Sequence, residues 1–176
     1  MRFKDRRQLD QALAHPSYLN ENPDFTLDSY QRLEFLGDAV LQLAITRELF
    51  HRCPNMDEGQ LTRLRSFLVK GTCLASVAKN LKLGQYLKLG KGEEANKGRD
   101  KESILAAVLE ALIGAVFVDR GYASARTLTL KIMRNEMEEL LQGEVPEDPK
   151  SRLQHLSQRR GWGRPHYRTV RTRGPN

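Results

Sequence analysis

The stretch Tyr30-Gln31-Arg32-Leu33-Glu34-Phe35-Leu36-Gly37-Asp38-Ala39-Val40 is the most informative part of this 176-residue chain. Glu34 and Asp38 are four residues apart, so a helix places both carboxylates on one face, one turn apart. Apolar neighbours indicate partial burial, which raises the free-energy cost of keeping two adjacent carboxylates ionised. A hard divalent cation between them would relieve that cost. The exposed acidic edge of an amphipathic helix explains the spacing equally well.

A second apolar stretch contains a single acid: Ser103-Ile104-Leu105-Ala106-Ala107-Val108-Leu109-Glu110-Ala111-Leu112-Ile113-Gly114-Ala115. The pattern predicts a helix that is buried almost all round, where an isolated charge is unfavourable. If this helix packs against the first, Glu110 joins Glu34 and Asp38 in one acidic pocket. Three carboxylates from two helices would form a plausible magnesium site.

The run Arg32-Leu33-Glu34-Phe35-Leu36-Gly37-Asp38 resembles the signature of the ribonuclease III family, endonucleases that cut double-stranded RNA. The resemblance covers nearly the whole chain. It includes Ala12-Leu13-Ala14-His15-Pro16-Ser17-Tyr18, Leu61-Thr62-Arg63-Leu64-Arg65-Ser66, Leu87-Lys88-Leu89-Gly90-Lys91-Gly92-Glu93 and the Glu110 helix. It implies an all-α endonuclease domain.

In this family four acidic positions, two on each of these helices, hold the catalytic metal. Glu34, Asp38 and Glu110 match three of them, and the resemblance assigns catalysis to Asp38 and Glu110. Ala107 stands at the fourth position, where the family has an aspartate. Gln31 stands where the family usually has a glutamate, and it is retained as a candidate RNA-binding residue. Both differences remove negative charge from one small region.

The resemblance further implies hydrolysis of double-stranded RNA with Mg²⁺, for which Mn²⁺ could substitute, in the processing of ribosomal and messenger RNA precursors. Family members act as homodimers, which makes Phe35 and Leu36 candidates for the dimer interface. Packing of Phe35 in the ordinary core is an equally good interpretation. Because Ala107 supplies no ligand, the expectation is a protein that binds duplex RNA and cuts it slowly or not at all.

Two alternatives to an active hydrolase remain open: a catalytically silent duplex-RNA-binding protein of the same fold, and a structural dimeric homologue. Metal-dependent cleavage separates the hydrolase from both. Salt-sensitive binding of duplex RNA separates the silent RNA-binding protein from the structural homologue.

The formal net charge of +7 is concentrated at the C-terminal end. Residues 150–176 carry eight basic and no acidic side chains, which leaves residues 1–149 with 21 basic and 22 acidic side chains. A cationic tail on a nearly neutral body suits a polyanionic partner. Lys150 and Arg152 in the tail are candidate RNA contacts, as are Arg63 and Arg65 in the body, although solvated arginines are the more common outcome.

The chain is predicted to contain an endonuclease domain at 1–143, an acidic, proline-containing linker at 144–149 and an incomplete double-stranded RNA-binding domain at 150–176. Residues 148–158 resemble the opening helix of such a domain, and residues 165–170 resemble its first strand. The ~27 residues of this α/β fragment fall below the ~40 that usually fold without a staple. We expect it to be partly ordered at best.

Within the first domain, the pattern predicts a helix that stops near His15 and a long helix from the signature to about His51. Further helices are predicted over 57–69 and 72–80, then the Glu110 helix ending near Gly121, and a last helix over 123–141. The proline after His15 disfavours helical geometry there, so His15 is interpreted as a packing or capping residue. The charged, glycine-containing segment 90–100 is predicted to be a mobile loop.

Several classes of protein are excluded by what the sequence lacks. It has no apolar run of the ~18 residues that a membrane span requires and no signal-peptide pattern, so we expect a soluble cytoplasmic protein without a membrane partner. Cys53 and Cys73 lack metal-ligand spacing and are interpreted as reduced thiols. The segment 90–100 lacks the spacing of a phosphate-binding loop, which argues against a nucleotide cofactor.

Overall fold

The structure is a computed structural model that describes residues 2–143 and 149–168, with only the backbone described at 149–152 and 155. Within these ranges the chain is helical and contains no strand, which confirms the all-α prediction. Ala14 and Lys88 form an isolated β-bridge. The α-helices are α1 (Arg6–Ala12), α2 (Pro16–Glu21), α3 (Gln31–Arg52), α4 (Glu58–Leu68), α5 (Gly71–Asn80), α6 (Lys91–Ala95), α7 (Glu102–Ile132), α8 (Arg134–Gln142) and α9 (Pro149–Arg159).

The chain divides into two compact units, Met1–Val145 and Pro146–Asn176. The core of the first unit lies where α3 packs along α7, and α5 and α1 also pack against α7. Leu41 and Ile45 of α3 and Leu109 and Ile113 of α7 are fully buried there. Burial of large aliphatic side chains of this kind contributes ~1.5–3 kcal/mol each. The two stretches that carry the acids therefore also form the centre of the fold.

Two glycines allow α3 and α7 to approach closely. A Cβ atom on Gly37 would collide with the carbonyl group of Glu110, and one on Gly114 would collide with the carbonyl group of Leu33. Since neither position has room for a side chain, the helix backbones meet directly at this crossing. The crossing lies between Glu34 and Asp38 on one helix and beside Glu110 on the other.

The prediction of a mobile loop over 90–100 is wrong. The segment contains α6 and a 3-10 turn at Gly98–Asp100, and it is tied by ion pairs from Glu93 to Lys101 (2.6 Å) and from Glu94 to Arg99 (2.7 Å). The Arg99 guanidinium also donates to the carbonyl oxygen of Gly84 at 2.8 Å. Charged side chains that suggested a solvated loop instead form ion pairs within the segment and with Lys101.

The N-terminal segment contains one helix more than predicted. After α1 ends, Pro16 starts α2 at the helix position that best tolerates proline. The His15 Nδ1 atom accepts a hydrogen bond from the Ser17 N–H at 3.1 Å and so caps α2. The His15 ring also packs against Tyr30 with ring centroids 5.7 Å apart. The interpretation of His15 as a packing or capping residue is confirmed.

The later helices also differ from their predicted bounds. Gly121 was expected to end its helix, but α7 resumes beyond it, and Gly121 adopts φ 75° and ψ 178°. The predicted final helix is divided, because α7 ends at Ile132 and α8 starts at Arg134. A positive φ costs glycine little, which explains a sharp break without loss of the helices on either side.

In the second unit, α9 is followed by irregular backbone. The backbone N–H of Trp162 donates to the Ser157 carbonyl oxygen at 2.8 Å, and the Arg160 guanidinium lies 5.0 Å from the Trp162 ring centroid. Of the strand predicted over 165–170, the described residues 165–168 show no strand pairing, and the rest lies outside the described residues. The predicted linker likewise lies outside them at residues 144–148. In the part of the chain that is described, no helix is long and apolar enough to cross a bilayer.

Candidate acidic site and nucleic-acid interface

Three acidic side chains come together at the crossing of α3 and α7. Glu34, Asp38 and Glu110 are all half-buried. Burial, together with the negative charges of Asp38 and Glu34, raises the pKa of Glu110 to about 7. Burial also raises the pKa of Glu34, with an added contribution from Asp38. Asp38 therefore acts on both glutamates and Glu34 acts on Glu110, so the three carboxylates lie in one group, as the two helical stretches predicted.

One acid of this group is held by a hydrogen-bonding partner that the sequence analysis missed. The Gln42 side-chain nitrogen Nε2 donates to both carboxylate oxygens of Asp38, each at 2.9 Å. Gln42 lies one helical turn beyond Asp38, so the spacing of four residues was the available signal.

Tyr30 is a second neighbour of the acids that sequence reasoning left unassigned. It lies one turn before Glu34 and is 6% exposed. Burial, together with the charges of Glu34 and Glu93, raises the pKa of its phenol to about 12. Tyr30 therefore stays neutral, buried one helical turn before Glu34.

The donor chemistry of this group fits a hard divalent cation, since carboxylate oxygens are its preferred ligands. Mutual repulsion among the three acids is also the condition that a bound cation relieves. Among the described residues, however, no three Asp, Glu, His or Cys side chains are already arranged around a common metal position. Ala107 is buried at 8% exposure and contributes only a methyl group.

The predicted RNA-binding residues lie at different places. Gln31 is exposed at the start of α3, where its Oε1 atom accepts a hydrogen bond from the Ser29 hydroxyl at 3.2 Å. Arg65 on α4 donates to the Thr46 hydroxyl at 3.3 Å. Arg63, also on α4, has a buried Nε atom without a hydrogen-bonding partner. The side chains of Lys150 and Arg152 lie outside the described residues.

Phe35 projects from α3 and is 83% exposed, so the interpretation of Phe35 as a core residue of the single chain is wrong. Leu36 beside it is half-buried. Leu43 and Phe50 follow along the same helix, and they are 55% and 67% exposed. Together Phe35, Leu43 and Phe50 form an exposed apolar stripe, because their spacings return to one side of a helix.

An open groove of about 480 Å³ lies between the C-terminal half of α3 and α4. Its lining is mainly apolar and includes Leu49, Phe50, Met56 and Leu61, with Arg65 at its polar side. The groove and the apolar stripe share Phe50. One helix therefore presents a projecting aromatic ring near its start and an apolar groove near its end.

Comparison with known proteins agrees with this architecture. Residues 5–136 match the family model described as Ribonuclease-III-like. The chain is 44% identical over 174 residues to Ribonuclease 3 of Pelotomaculum thermopropionicum, which covers 99% of this chain and 72% of the relative. It is 45% identical over 172 residues to Ribonuclease 3 of Pseudomonas aeruginosa, a match that covers 98% of this chain and 72% of that relative.

Solved structures give the same result. The nuclease domain of ribonuclease III from Campylobacter jejuni, described for flexibility in a region involved in dimer formation, matches with a TM-score of 0.70 and 39% identity over 76% of this chain and 90% of that one. Dicer from Pichia stipitis matches with a TM-score of 0.60 and 25% identity, over 98% of this chain and 76% of that one. The chain belongs to the ribonuclease III family and by this resemblance is an endoribonuclease.

Proposed function

We propose that this chain is a homodimeric protein that binds double-stranded RNA and hydrolyses it, at an impaired rate, with Mg²⁺ or Mn²⁺ held by Glu34, Asp38 and Glu110. The observation that carries the proposal is the electrostatic coupling of these three half-buried carboxylates across α3 and α7. Half-buried carboxylates held close together are costly to maintain, and residues with perturbed pKa values, such as Glu34 and Glu110, concentrate at functional sites.

The chain's own residues prepare this site. The chemistry that a bound divalent cation supplies is stabilisation of the negative charge that develops during phosphodiester hydrolysis. The Asp38 carboxylate accepts hydrogen bonds from the Gln42 side chain. With a pKa of about 7, Glu110 is divided between its protonated and ionised forms near neutral pH and can hold or release a proton there.

Ala107 is the reason for the impaired rate. It faces the same buried region as Glu110, one turn earlier on α7, and offers no oxygen to a cation. Water can replace a missing carboxylate ligand of Mg²⁺, which preserves some affinity. Catalysis depends on placement more strongly than binding does, so the rate should fall further than the affinity for RNA.

The exposed apolar stripe supports the homodimer. A two-fold axis perpendicular to α3 would pair it with the same helix of a second copy. The two helices would run antiparallel, so the start of α3 in one copy would lie beside the end of α3 in the other. Phe35 of one copy then lies over the groove near Phe50 of the other, ~22 Å along the helix from its own position. Leu36 lies at the edge of this contact. The pairing would cover both features, and it would bring two acidic sites into one assembly.

RNA binding is supported by the distribution of basic groups. Arg63 is half-buried on α4, and Arg65 lies at the polar side of the groove. The guanidinium groups of arginines are common donors to phosphate oxygens. Gln31 can donate from its amide beside the acids. Lys150 and Arg152 belong to the basic segment 150–176, which adds sequence-independent attraction for a polyanion.

The proposal is tested with a labelled duplex RNA of about thirty base pairs, measuring binding and cleavage by the unmodified chain and by Ala107→Asp. We expect salt-sensitive binding by both proteins and Mg²⁺-dependent cleavage that is at least about 100-fold faster in Ala107→Asp, since it restores an anionic carboxylate ligand. Ala107→Asn has a similar shape without the charge, and it serves as the control. Equal cleavage by all three proteins would contradict the assignment of the metal ligands.

Ala107 also favours a second candidate, a catalytically silent RNA-binding homologue. In that case the duplex is bound but Mg²⁺ and Mn²⁺ produce no cleavage at any enzyme concentration. A protein that binds no duplex even at low salt would instead be a structural homologue. The same binding and cleavage measurements therefore separate all three possibilities.

A further inference from the structure

Asp38 differs from the other two acids in how it is held. Its two carboxylate oxygens each accept a hydrogen bond of 2.9 Å from the Gln42 side-chain nitrogen. Among the described residues no other side chain donates to Asp38, and no side chain donates to Glu34 or Glu110. Both partners of the contact are half-buried. The cluster therefore contains one oriented carboxylate and two that lack such a support.

We propose that Gln42 is a positioning residue that fixes the rotation of the Asp38 carboxylate so that it can receive a divalent cation. The inference rests on the proposed function of Glu34, Asp38 and Glu110. Repulsion from its two acidic neighbours favours a rotation of Asp38 away from the cluster. The Gln42 amide opposes that rotation, because leaving the cluster would break both hydrogen bonds.

The chemical type of the supporting group suits this role. A lysine or arginine at position 42 would also bind Asp38, but its positive charge would neutralise the attraction for a cation. The neutral amide donates hydrogen bonds and leaves the negative charge of the cluster unchanged. Each carboxylate oxygen has two lone pairs, so one bond from Gln42 to each oxygen leaves acceptor sites for a metal.

The loss of one acid makes such support more important in this chain. With Ala107 in place of a carboxylate, a cation depends on fewer protein ligands, and the placement of each remaining ligand carries more of the affinity. Groups that orient metal ligands typically change metal affinity or activity by 10–100-fold when they are removed. Gln42 fits this description through its contact with Asp38.

The test compares Gln42→Met with the unmodified chain, since methionine has similar length and no hydrogen-bond donor. Gln158→Met makes the same substitution at an exposed position of α9 and serves as the matched control. Mn²⁺ affinity is measured by calorimetry without RNA, and thermal unfolding is measured in EDTA. We expect about tenfold weaker Mn²⁺ binding in Gln42→Met alone, with all three unfolding temperatures within a few degrees.

A metal-free measurement accompanies the titration. In the nitrogen-15 NMR spectrum, the Gln42 side-chain amide protons should be displaced from the positions of solvated glutamines, and Asp38→Ala should return them. If Gln42→Met folds poorly, Gln42→Asn replaces it. That variant keeps the donor but withdraws it by one methylene group, and it should weaken Mn²⁺ binding by a smaller factor.

The possible results lead to distinct conclusions. Equal or tighter Mn²⁺ binding by Gln42→Met would overturn the positioning role, because the amide would then be irrelevant or would compete with the cation. Solvated Gln42 resonances in the unmodified chain would overturn it as well. If the contact is present but the unmodified chain takes up no Mn²⁺, the proposed metal site fails, and the role of Gln42 toward a cation fails with it.

Discussion

The carbonyl group of Glu110 lies against Gly37, in the space where any other residue would place its Cβ atom. A residue of the signature on α3 therefore touches the backbone of the acid on α7. The reciprocal contact of Gly114 with the carbonyl group of Leu33 makes the crossing close on both sides. The distance between the acids of the two helices is consequently set by backbone contact.

Gly37→Ala should destabilise the protein and disturb the acidic site together. The added methyl group has only backbone atoms to displace, and overpacking of this kind typically costs ~1–3 kcal/mol. Urea denaturation should show the loss of stability, and Mn²⁺ titration should show weaker binding. Gly92→Ala is the control, because a Cβ atom there meets nothing within 4 Å and alanine is favoured over glycine in a helix. An unchanged urea midpoint in Gly37→Ala would show that the helices can separate freely.

Glu110 should make the metal-free protein less stable at neutral pH than at pH 5. Its pKa is raised from 4.5 to about 7 by folding, so the folded state binds the proton more tightly than the unfolded state. The resulting stabilisation is complete below pH 4.5 and is lost as the pH rises through about 7. Thermal unfolding in EDTA should therefore show that Glu110→Gln gains stability relative to the unmodified chain between pH 5 and 7.5.

Divalent cation provides the control for this pH dependence. Saturating Mn²⁺ should favour ionised Glu110 and reduce the difference between the two proteins at pH 7.5 by stabilising the unmodified chain. A constant difference in unfolding temperature across the pH range would mean that folding does not raise the pKa of Glu110.

Phe35→Ala should weaken the proposed homodimer. Removal of the ring deletes the most exposed large apolar side chain of α3, and buried aromatic anchors commonly contribute more than ~2 kcal/mol to an interface. Sedimentation velocity should therefore show dissociation at concentrations where the unmodified chain remains a dimer. Tyr86→Ala changes a 61% exposed aromatic residue outside α3 and α4 and should leave the dimer intact. If the unmodified chain sediments as a monomer at all concentrations, the proposed dimer interface is refuted.

His15 should confer acid sensitivity on α2. Burial lowers the pKa of its imidazole below 6.5, so the folded state favours the neutral ring whose Nδ1 accepts the capping hydrogen bond. This stabilisation is present above pH 6.5 and is lost as the pH falls through the lower folded pKa. His15→Asn retains a capping acceptor that does not titrate there. Its unfolding temperature should fall less than that of the unmodified chain between pH 7.5 and 5, whereas His15→Ala should lose ~1 kcal/mol at pH 7.5.

The helical positions of the acids could be predicted because each depends on local spacing. The four-residue interval of Glu34 and Asp38 and the solitary Glu110 in an apolar helix are visible in the sequence, and the structure brings the three together. Gln42 was missed although its spacing was equally visible. An amide carries no charge, so nothing in its residue type marked it as a partner of Asp38.

Features that depend on contacts distant in sequence were predicted less well. The charged segment 90–100 forms α6 because Arg99 reaches the carbonyl oxygen of Gly84 and because Gly90 and Lys91 bind Ser17 and Glu21 through their backbone N–H groups. Composition alone indicates solvation for such a segment. Phe35 shows the opposite case, since its apolar type fits a core or an interface equally well and only its exposure in the fold separates them.

The break at Gly121 has a consequence for the rotational phase of α7. In a continuous helix successive residues are rotated by about 100° about the axis. The direction of the side chains before residue 121 would therefore fix the direction of every side chain after it. Non-helical angles at Gly121 cancel that constraint. The second half can thus direct Arg126 to its 2.9 Å ion pair with Glu48 while the first half keeps Glu110 beside the other acids. The two halves of α7 can thereby direct their side chains independently of each other.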